Sequence, residues 1–389
     1  MGPDEREPLP EADLYARLER FSQKQDAIQQ AMTERVARRL SRLADQDPDI
    51  QGPTFDVLIL SSGAEWGAFG AGFLNGWRTS TDPNIPPFPE FDLISGISTG
   101  ALLGVYASIG KPERLEEIEA IYRECNPEWI QPMGITAFHP GNPAVATAER
   151  FETFVRDKLD ERMLRDLRQA LAADKSLLVS TTDLDLGESA GFDLLDEATR
   201  PDAAERLHQI LMAATAVPGM VAPVLLDGTL HADGAAVAGL ASISRPEGFR
   251  EVLAAWHAKH GDRPMPPVRF WIIINNKLGL APTTVQPRWP SVLYRSAATL
   301  AQFGLRAAIR STNLIASLVA EREGLDISCR WTAVPTNFPV PYAERPFDPG
   351  LTNVMADLGR SMGARADSWR TDPDDLLLLP EDLQEAAGS

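Results

Sequence analysis

Short apolar runs that are followed by Ser and Gly, and then by a helical pattern, most strongly constrain the fold of this chain. Asp56–Leu60 leads into a helical pattern from Gly67 to Trp77, and Phe91–Ser95 leads into one from Thr99 to Ile109. Strands that alternate with helices predict an α/β fold with a mostly parallel sheet covered by helices on both faces. Further β-rich runs lie at 176–182, 268–275 and 330–334, and a further amphipathic helical pattern lies at 293–323.

Residues 11–45 predict one long amphipathic helix, because apolar side chains recur three, four or seven positions apart without an intervening Gly or Pro. The second half of this helix carries Arg35, Arg38, Arg39 and Arg42. A basic amphipathic helix can lie on a membrane, pair with a second copy, or pack on its own domain with the arginines in solvent. We favour the third arrangement and keep peripheral membrane contact and a homo-oligomer through this helix as alternatives.

Turn signals and composition divide the chain into three parts. Asp47-Pro48 and Gly52-Pro53 close the first helix, and the last residues of the chain are acidic and rich in leucine. We therefore expect an N-terminal helical extension at 1–50, an α/β domain at 51–345, and a C-terminal extension with an acidic tail at 346–389. The tail is expected to dock only loosely.

The net charge argues against one large class of partner. The 389 residues include 37 Lys and Arg against 55 Asp and Glu, so the formal net charge is −18. A surface this negative repels phosphate backbones, which argues against nucleic-acid binding. It also repels an anionic bilayer unless a basic patch is set apart from the rest.

Cysteine usage and the N-terminus predict a cytoplasmic protein. Cys125 and Cys329 are too few for a disulfide framework or a cysteine-built zinc site, and we expect both to be small buried hydrophobes. The first residues are acidic and contain no apolar segment, so no secretory signal is predicted. The weakly charged stretch from Leu93 to Gly110 is better explained by a buried strand and helix than by a membrane span. Contact with the inner membrane face is kept as an option.

Gly96-Ile97-Ser98-Thr99-Gly100 is a G-x-S-x-G motif between a predicted strand and a predicted helix. The spacing suits a sharp turn, because the glycines keep neighbouring side chains away and leave the serine hydroxyl exposed at a helix N-terminus. The helix dipole and the free N–H groups there favour developing negative charge. Ser98 is therefore the candidate nucleophile. The alternative is that it is only the N-cap of a buried helix.

Ser61–Gly70 is a second loop of small residues between a strand and a helix. Small side chains allow backbone N–H groups to point into a cavity, as an oxyanion hole or a phosphate cradle requires. No Lys-Ser/Thr pair follows, which excludes a P-loop, and the absence of Gly-x-Gly-x-x-Gly excludes a dinucleotide fingerprint. A tight turn without a ligand is the alternative.

His231-Ala232-Asp233-Gly234 follows a segment of small apolar residues at 213–224. An Asp-Gly pair usually marks only a turn, which is our interpretation of Asp227-Gly228. A carboxylate that is held beside a serine can instead act as its general base. Asp233 is therefore the candidate partner of Ser98.

These three motifs, taken in this order, resemble the patatin-like phospholipase family of serine acyl hydrolases. The resemblance spans residues 55–280 and includes the family's Ala-Phe-x-Ala-Gly-x-Leu segment at 68–74 and its Pro-Gly segment at 214–219. It implies a three-layer α/β/α fold and a Ser98–Asp233 dyad, with the backbone N–H groups of Gly63 and Ala64 as the oxyanion hole. It implies no histidine, metal or cofactor in the chemistry, and an acyl lipid or another ester as the substrate.

The first loop departs from the family pattern Gly-Gly-Gly-x-Arg/Lys-Gly, because residues 62–67 read Ser-Gly-Ala-Glu-Trp-Gly. Ala64 can still offer its N–H group if its φ is negative. Glu65 would oppose an oxyanion unless its side chain points to solvent, and Trp66 cannot replace a cation. A weakly active member, or a non-catalytic scaffold with the same fold, is therefore an alternative to an esterase.

A Ser-His-Asp triad on an α/β-hydrolase fold is a further alternative. It needs a histidine after its acid in chain order, and His257 and His260 follow Asp233. Both lie in a predicted surface helix, so we favour solvated histidines. His231 shares a strand face with Asp233, where it either contacts the site or is an ordinary strand-end histidine. The walls of the substrate pocket are expected from 111–170 and 280–345.

Overall fold

The computed structural model of the chain describes residues 10–46, 53–134, 137, 139, 141–237, 246–280 and 282–372. The acidic tail predicted at the C-terminus lies outside the described residues from position 373 onward. The strands are β1 (Phe55–Leu60), β2 (Leu93–Gly96), β3 (Gln131–Pro132), β4 (Ala146–Thr147), β5 (Ser176–Asp183), β6 (Glu188–Asp193), β7 (Val224–Leu226), β8 (Thr229–Asp233), β9 (Val268–Lys277) and β10 (Ile327–Val334). The helices are α1 (Glu11–Gln46), α2 (Gly67–Thr79), α3 (Thr99–Ile109), α4 (Pro112–Arg123), α5 (Glu149–Lys158), α6 (Glu161–Ala172), α7 (Leu194–Glu197), α8 (Ala203–Thr215), α9 (Pro246–His260), α10 (Trp289–Glu323) and α11 (Pro349–Gly363).

A sheet of 8 strands forms the centre of the described structure. β10, β9, β1, β2 and β5 lie side by side in this order and run parallel to one another. β8 and β6 pair antiparallel with β5, and β7 pairs antiparallel with β8. All residues of β1 are buried, as expected for a central parallel strand that is covered on both faces. The predicted α/β fold with a mostly parallel sheet is confirmed.

The sheet separates two helical layers, each with its own apolar core. Leu58 and Leu60 of β1 belong to a core shared with α2 to α8 and α11. Val57 and Ile59 of the same strand belong to a second core shared with α1, α9 and α10. The alternation follows from the two-residue period of a strand. The result is the three-layer α/β/α arrangement that the sequence resemblance implies.

Helices α2 and α11 pack backbone against backbone in the first of these layers. A Cβ atom on Gly72 would lie 2.1 Å from the carbonyl oxygen of Ala356, and one on Gly359 would lie 2.1 Å from that of Phe69. Only glycine allows the two helices to approach this closely. The contact joins α11 to the helix that follows the first small-residue loop.

Helix α1 packs on the α/β core through arginines as well as through its apolar face. Arg35 is 4% exposed, and its two terminal nitrogens contact Asp193 and Asp196 at 2.5 Å each. Arg39 is also buried and bonds to Asp92 at 2.6 Å. A buried guanidinium needs such partners, because leaving water without them costs several kcal/mol.

The expectation that the arginines of α1 lie in solvent is therefore wrong for Arg35 and Arg39. Arg38 and Arg42 are half exposed, and both contact Asp174. The helical period shows which residues share a face, but it does not show which acids from later in the chain will face them. Membrane contact through these arginines would first have to break their ion pairs with this chain's own carboxylates.

We expect that Arg35→Met lowers the free energy of unfolding by about 3–5 kcal/mol, because it leaves the buried Asp193 without its cation. The measurement is urea denaturation followed by circular dichroism. Arg365→Met is the matched control, since Arg365 and its partner Asp367 are both exposed, and its effect should stay within about 0.5 kcal/mol. Equal effects of the two variants would show that α1 is not held by the buried pair.

Two further expectations concern membrane spans and thiols. No helix in the described ranges is long and apolar enough to cross a bilayer. Cys125 and Cys329 are both free thiols. Cys125 is buried as expected, whereas Cys329 is partly exposed, so the expectation of a buried thiol is wrong for Cys329.

Candidate active site

Ser98 occupies the sharp turn between β2 and α3. Its φ is +55° and its ψ is −123°, a conformation that L-residues rarely adopt and that costs on the order of 1–2 kcal/mol. The turn is held by backbone hydrogen bonds from Gly100 N–H to the Ile97 carbonyl oxygen (2.8 Å) and from Ala101 N–H to the Ser98 carbonyl oxygen (2.9 Å). The Ser98 side chain makes no capping hydrogen bond to α3, although the residue stands at the N-cap position. Its hydroxyl is therefore not used to cap the helix.

The glycines of the motif are required by close contacts. A Cβ atom on Gly96 would lie 2.2 Å from the carbonyl oxygen of Gly100, and one on Gly100 would lie 2.3 Å from that of Leu60. Gly67, at the start of α2, is equally confined, because a Cβ there would lie 2.0 Å from Thr99 Oγ1. The turn after β2 thus fits tightly against the end of β1 and the start of α2.

The strand order brings Asp233 to Ser98. β2 and β8 pair with the same edge of β5, since Gly96 pairs with Val179 and Asp233 pairs with Thr181, while β6 occupies the other edge. β2 runs parallel to β5 and β8 runs antiparallel to it, so the carboxyl ends of β2 and β8 point toward each other. Residues that are far apart in sequence therefore meet at one point of the sheet.

The Asp233 carboxyl group is 1% exposed, and the Ser98 hydroxyl lies close enough to lower its pKa. One of its oxygens also accepts a hydrogen bond from the Ala235 N–H group at 2.9 Å. Burial raises the pKa of Asp233 to about 6, and the hydrogen bonds from Ser98 and Ala235 oppose this only in part. At neutral pH the group is therefore an ionised carboxylate that is more basic than an ordinary aspartate.

Gly63 and Ala64 lie in the loop between β1 and α2. The φ of Ala64 is +48°, so the condition of a negative φ that the sequence interpretation required is not met. Ala64 instead adopts the left-handed conformation that glycine prefers, at a cost of roughly 1 kcal/mol. Within the described residues, no group accepts a hydrogen bond from the backbone N–H of Gly63 or Ala64. Ala64 lines the same cavity as Ser98, whereas Gly63 is not part of the cavity lining.

Asn275, near the end of β9, holds the start of this loop, a role that no sequence motif indicates. Its backbone N–H donates to Ser61 Oγ at 2.8 Å, and its side-chain amide donates to the Ser61 carbonyl oxygen at 3.0 Å. A Cβ atom on Gly63 would lie 2.1 Å from the Asn275 carbonyl oxygen, so the loop runs directly along β9. The sequence shows a polar residue at the end of a buried strand, but it does not show that this strand pairs with β1.

Glu65 lines the same cavity as Ala64 and Ser98. Burial raises the pKa of Glu65. Burial is also the main reason why the pKa values of Tyr122 and Cys125 are raised, and the nearby Glu65 charge adds a smaller contribution. No cation of the described structure contacts this carboxyl group. Glu65 is only partly exposed and lines the cavity, so the condition that its side chain points to solvent is not met.

A cavity of about 230 Å³ extends from Ser98 into the first helical layer. Segment 111–170 supplies much of its wall, as expected, whereas the described part of 280–345 supplies none. Residues of 211–221, from the end of α8 and the segment after it, also line the cavity, as do Pro346 and Phe347, and neither group was anticipated. The lining is mostly apolar, as in pockets that bury hydrophobic ligands. Its side chains include Leu102, Ile118, Phe151, Leu211 and Met220.

The histidines considered for a triad have other contacts. Both ring nitrogens of His231 lie at hydrogen-bond distance from hydroxyls, those of Thr181 (2.8 Å) and Thr229 (3.0 Å). His257 and His260 lie on α9, which packs in the second layer, across the sheet from the cavity. In the part of the chain that the structure describes, no three His, Cys, Asp or Glu side chains are arranged to hold a metal ion.

Comparison with known proteins identifies one family over the segment that carries these motifs. Residues 58–241 match the family model described as Patatin-like phospholipase, so the resemblance inferred from the motifs is confirmed over this range. The family implies a lipid hydrolase. Among solved structures, VipD from Legionella pneumophila is similar at 12% identity and a TM-score of 0.31, over 79% of this chain and 67% of that chain. No curated protein matches the sequence.

Proposed function

We propose, from the premise that residues 58–241 are a patatin-like phospholipase sequence, that this chain is a serine esterase acting on acyl lipids through Ser98 and Asp233. The observation that carries the proposal is the strained turn that presents the Ser98 hydroxyl to the buried Asp233 carboxylate beside an apolar cavity. A nucleophile, a base of raised pKa and a pocket for an apolar chain are what acyl transfer from a lipid requires.

In the first half of the reaction, Ser98 Oγ attacks the ester carbonyl carbon while the Asp233 carboxylate takes the hydroxyl proton. The N–H groups of Gly63 and Ala64, together with the N-terminus of α3, stabilise the negative charge on the carbonyl oxygen. The bond to the leaving alcohol then breaks, and Asp233 returns the proton to the departing oxygen. An acyl-Ser98 intermediate and a free alcohol result.

In the second half, Asp233 takes a proton from a water molecule that attacks the acyl carbon. The tetrahedral intermediate collapses, the proton passes to Ser98 Oγ, and the fatty acid is released. Asp233 takes up a proton and gives it back once in each half of the reaction, so one carboxylate accounts for the whole cycle. The raised pKa of Asp233 suits this role, because a base works best when its pKa lies near the working pH.

A weakly active or non-catalytic binding protein is the second candidate function. The observation that favours it is the Glu65 carboxyl inside the cavity, beside an Ala64 that takes up a conformation suited to glycine. In this case the cavity would still bind an acyl chain, but the serine would turn over slowly or not at all.

A fluorophosphonate probe tests the proposal directly. We expect covalent labelling that peptide mass spectrometry maps to Ser98, together with hydrolysis of p-nitrophenyl butyrate and decanoate. The apolar cavity predicts a lower KM for the longer ester. Labelling of another serine, or none on folded protein that still binds a fluorescent fatty acid, would assign the chain to the second candidate.

We expect that Glu65→Gln raises kcat on a p-nitrophenyl ester by up to about tenfold at pH 8, because a carboxylate in the same low-dielectric cavity repels the oxyanion. The difference from wild type should shrink at low pH, where Glu65 is protonated. Glu113→Gln, an exposed acid of α4, serves as the matched control and should leave kcat unchanged. A fall in kcat for Glu65→Gln would mean that the carboxyl assists the reaction instead.

A further inference from the structure

Helix α10 exposes large apolar side chains on one face in two groups, at 289–303 and at 314–318, with the exposed Ala307 and Ser311 between them. Leu300 is 74% exposed, Trp289 68% and Phe303 64%, and Leu293, Leu314 and Leu318 are exposed as well. At 3.6 residues per turn these side chains fall within about 100° of arc, so they form one face along the helix. Exposed apolar faces of this extent mark surfaces that bind something.

The opposite face of α10 is buried and fixes the helix at the end of the sheet that holds the candidate site. Leu305, Ile309 and Ala316 belong to the second core. Gln302 donates a hydrogen bond to the carbonyl oxygen of Lys277, the last residue of β9, at 3.1 Å. Two residues earlier on the same strand, Asn275 holds the loop that leads to Gly63. Helix α10 therefore contacts the end of β9, and β9 in turn contacts the loop at the edge of the sheet where Ser98 lies.

The sequence of α10 is basic, although the whole chain has a formal charge of −18. No Asp or Glu occurs between Asp262 and Glu321, and four arginines lie on α10 or directly before it, at positions 288, 295, 306 and 310. On the helical projection Arg295, Arg306 and Arg310 form one flank of the apolar face. Within this flank Arg306 donates to the Leu278 carbonyl oxygen at 2.5 Å, and one terminal nitrogen of Arg310 is buried. Arg288, immediately before the helix, is exposed. The basic patch that an acidic protein needs for an anionic surface is therefore set apart on α10, since the arginines of α1 are engaged in ion pairs.

We propose that the apolar face of α10, with its arginine flank, docks on an anionic lipid surface and holds the enzyme where its acyl-lipid substrate is found. The inference rests on the proposed lipid substrate. An interfacial helix has this composition, with Trp, Leu and Phe on one face, which enters the boundary of the acyl chains, and arginines that reach the headgroups. A second copy of the chain is a poorer occupant, because antiparallel pairing of two α10 helices would bring their arginine flanks together.

Vesicle flotation with the Ser98→Ala variant tests the docking without consuming the lipid. We expect binding to phosphatidylcholine vesicles that contain about 30 mol% phosphatidylglycerol, much weaker binding to pure phosphatidylcholine, and loss of most binding at roughly 0.5 M salt. The double variant Leu300→Ser/Phe303→Ser should lower the partition coefficient at least about tenfold. Leu225→Ser, an equally exposed leucine on β7, is the matched control and should bind like the parent.

Unchanged vesicle binding in the double variant, or no binding of the parent to anionic vesicles, would overturn the proposal. A dimer in light scattering that the double variant dissociates, without vesicle binding, would assign the face to a second copy and overturn it as well. Turnover of soluble p-nitrophenyl butyrate by the wild-type protein, with Ser98 present, separates this inference from the proposed function. Full turnover with no vesicle binding means that only the docking surface is wrong, whereas vesicle binding with no turnover means that only the esterase proposal is wrong.

Discussion

Ser98→Ala is expected to lower the turnover of a p-nitrophenyl ester by at least about 10³-fold, because the variant has no oxygen to form the acyl intermediate. The fold should be retained. The Ser98 side chain caps no helix end, and alanine adopts the same positive φ at a similar cost. A loss of rate without a loss of stability would therefore report on chemistry. The measurement is kcat/KM beside the midpoint of thermal unfolding.

Ser108→Ala is the matched control for this variant. Ser108 is a buried serine of the same helix, and its hydroxyl donates only to the carbonyl oxygen of Val105, at 2.9 Å. It should keep the wild-type rate. If Ser98→Ala retained wild-type turnover, neither the dyad nor any other mechanism that uses Ser98 as nucleophile could stand.

Asp233→Asn is expected to abolish turnover to a similar extent, since a carboxamide cannot take the proton from Ser98. In the wild type the same residue should set the pH dependence of kcat/KM. Because burial raises the pKa of Asp233 to about 6, activity should rise with pH through about 6 and level off above 7. A profile that instead rises near pH 4 would mean that a solvated carboxylate is the base.

The same substitution should stabilise the folded protein at high pH. The pKa of Asp233 is raised from 3.8 to about 6, so the folded state holds this proton more tightly than the unfolded state does. Stability is therefore lost as pH rises from about 4 through about 6, and the loss reaches about 3 kcal/mol above pH 7. Asp233→Asn removes that loss, so its free energy of unfolding should exceed that of the wild type at pH 8 and match it near pH 4.

Asp227→Asn is a control of opposite sign for the stability measurement. Burial acts to raise the pKa of Asp227, but its hydrogen bonds with Arg206 and Lys24 outweigh this effect and hold the pKa well below its usual range. An ionised Asp227 therefore stabilises the folded state, and this variant should be less stable than the wild type at pH 8. If both variants shifted stability in the same direction, the pH dependence would not come from these two carboxyl groups. An Asp233→Asn variant that is inactive but more stable than the wild type would show that the catalytic base lowers the stability of the folded protein.

Much of the local structure follows from the sequence because it depends on neighbours along the chain. The apolar period of 11–45 predicted α1, and the β–loop–α pattern around 91–109 predicted β2, the Ser98 turn and α3 within one or two residues. The glycines of the motif were predictable for the same reason, since a turn of that sharpness leaves no room for side chains. Ser98 and Asp233 could be named from motifs, but their distance from each other could not be known.

Contacts across the fold could not be predicted, because each depends on which distant segments the sheet places side by side. The arginines of α1 were expected to lie in solvent, yet Arg35 forms an ion pair with Asp193 and Arg39 forms one with Asp92. Asn275 can form its hydrogen bonds with the candidate oxyanion loop only because β9 pairs with β1. The positive φ of Ala64 reflects the path of that loop, and its own sequence does not require it.

The helices and strands, their alternation and the candidate chemistry follow from the amino-acid sequence, because period and turn geometry are short-range properties. The net charge of −18 and the basic stretch around α10 are also properties of the sequence. The folded chain adds that β2 and β8 meet end to end along β5, which brings the serine and the aspartate together. It also adds that α1 packs on the core, whereas one face of α10 is exposed to solvent. These features depend on folding because a residue is buried by segments that are distant in the sequence, and a segment's own residues do not specify where those partners will lie.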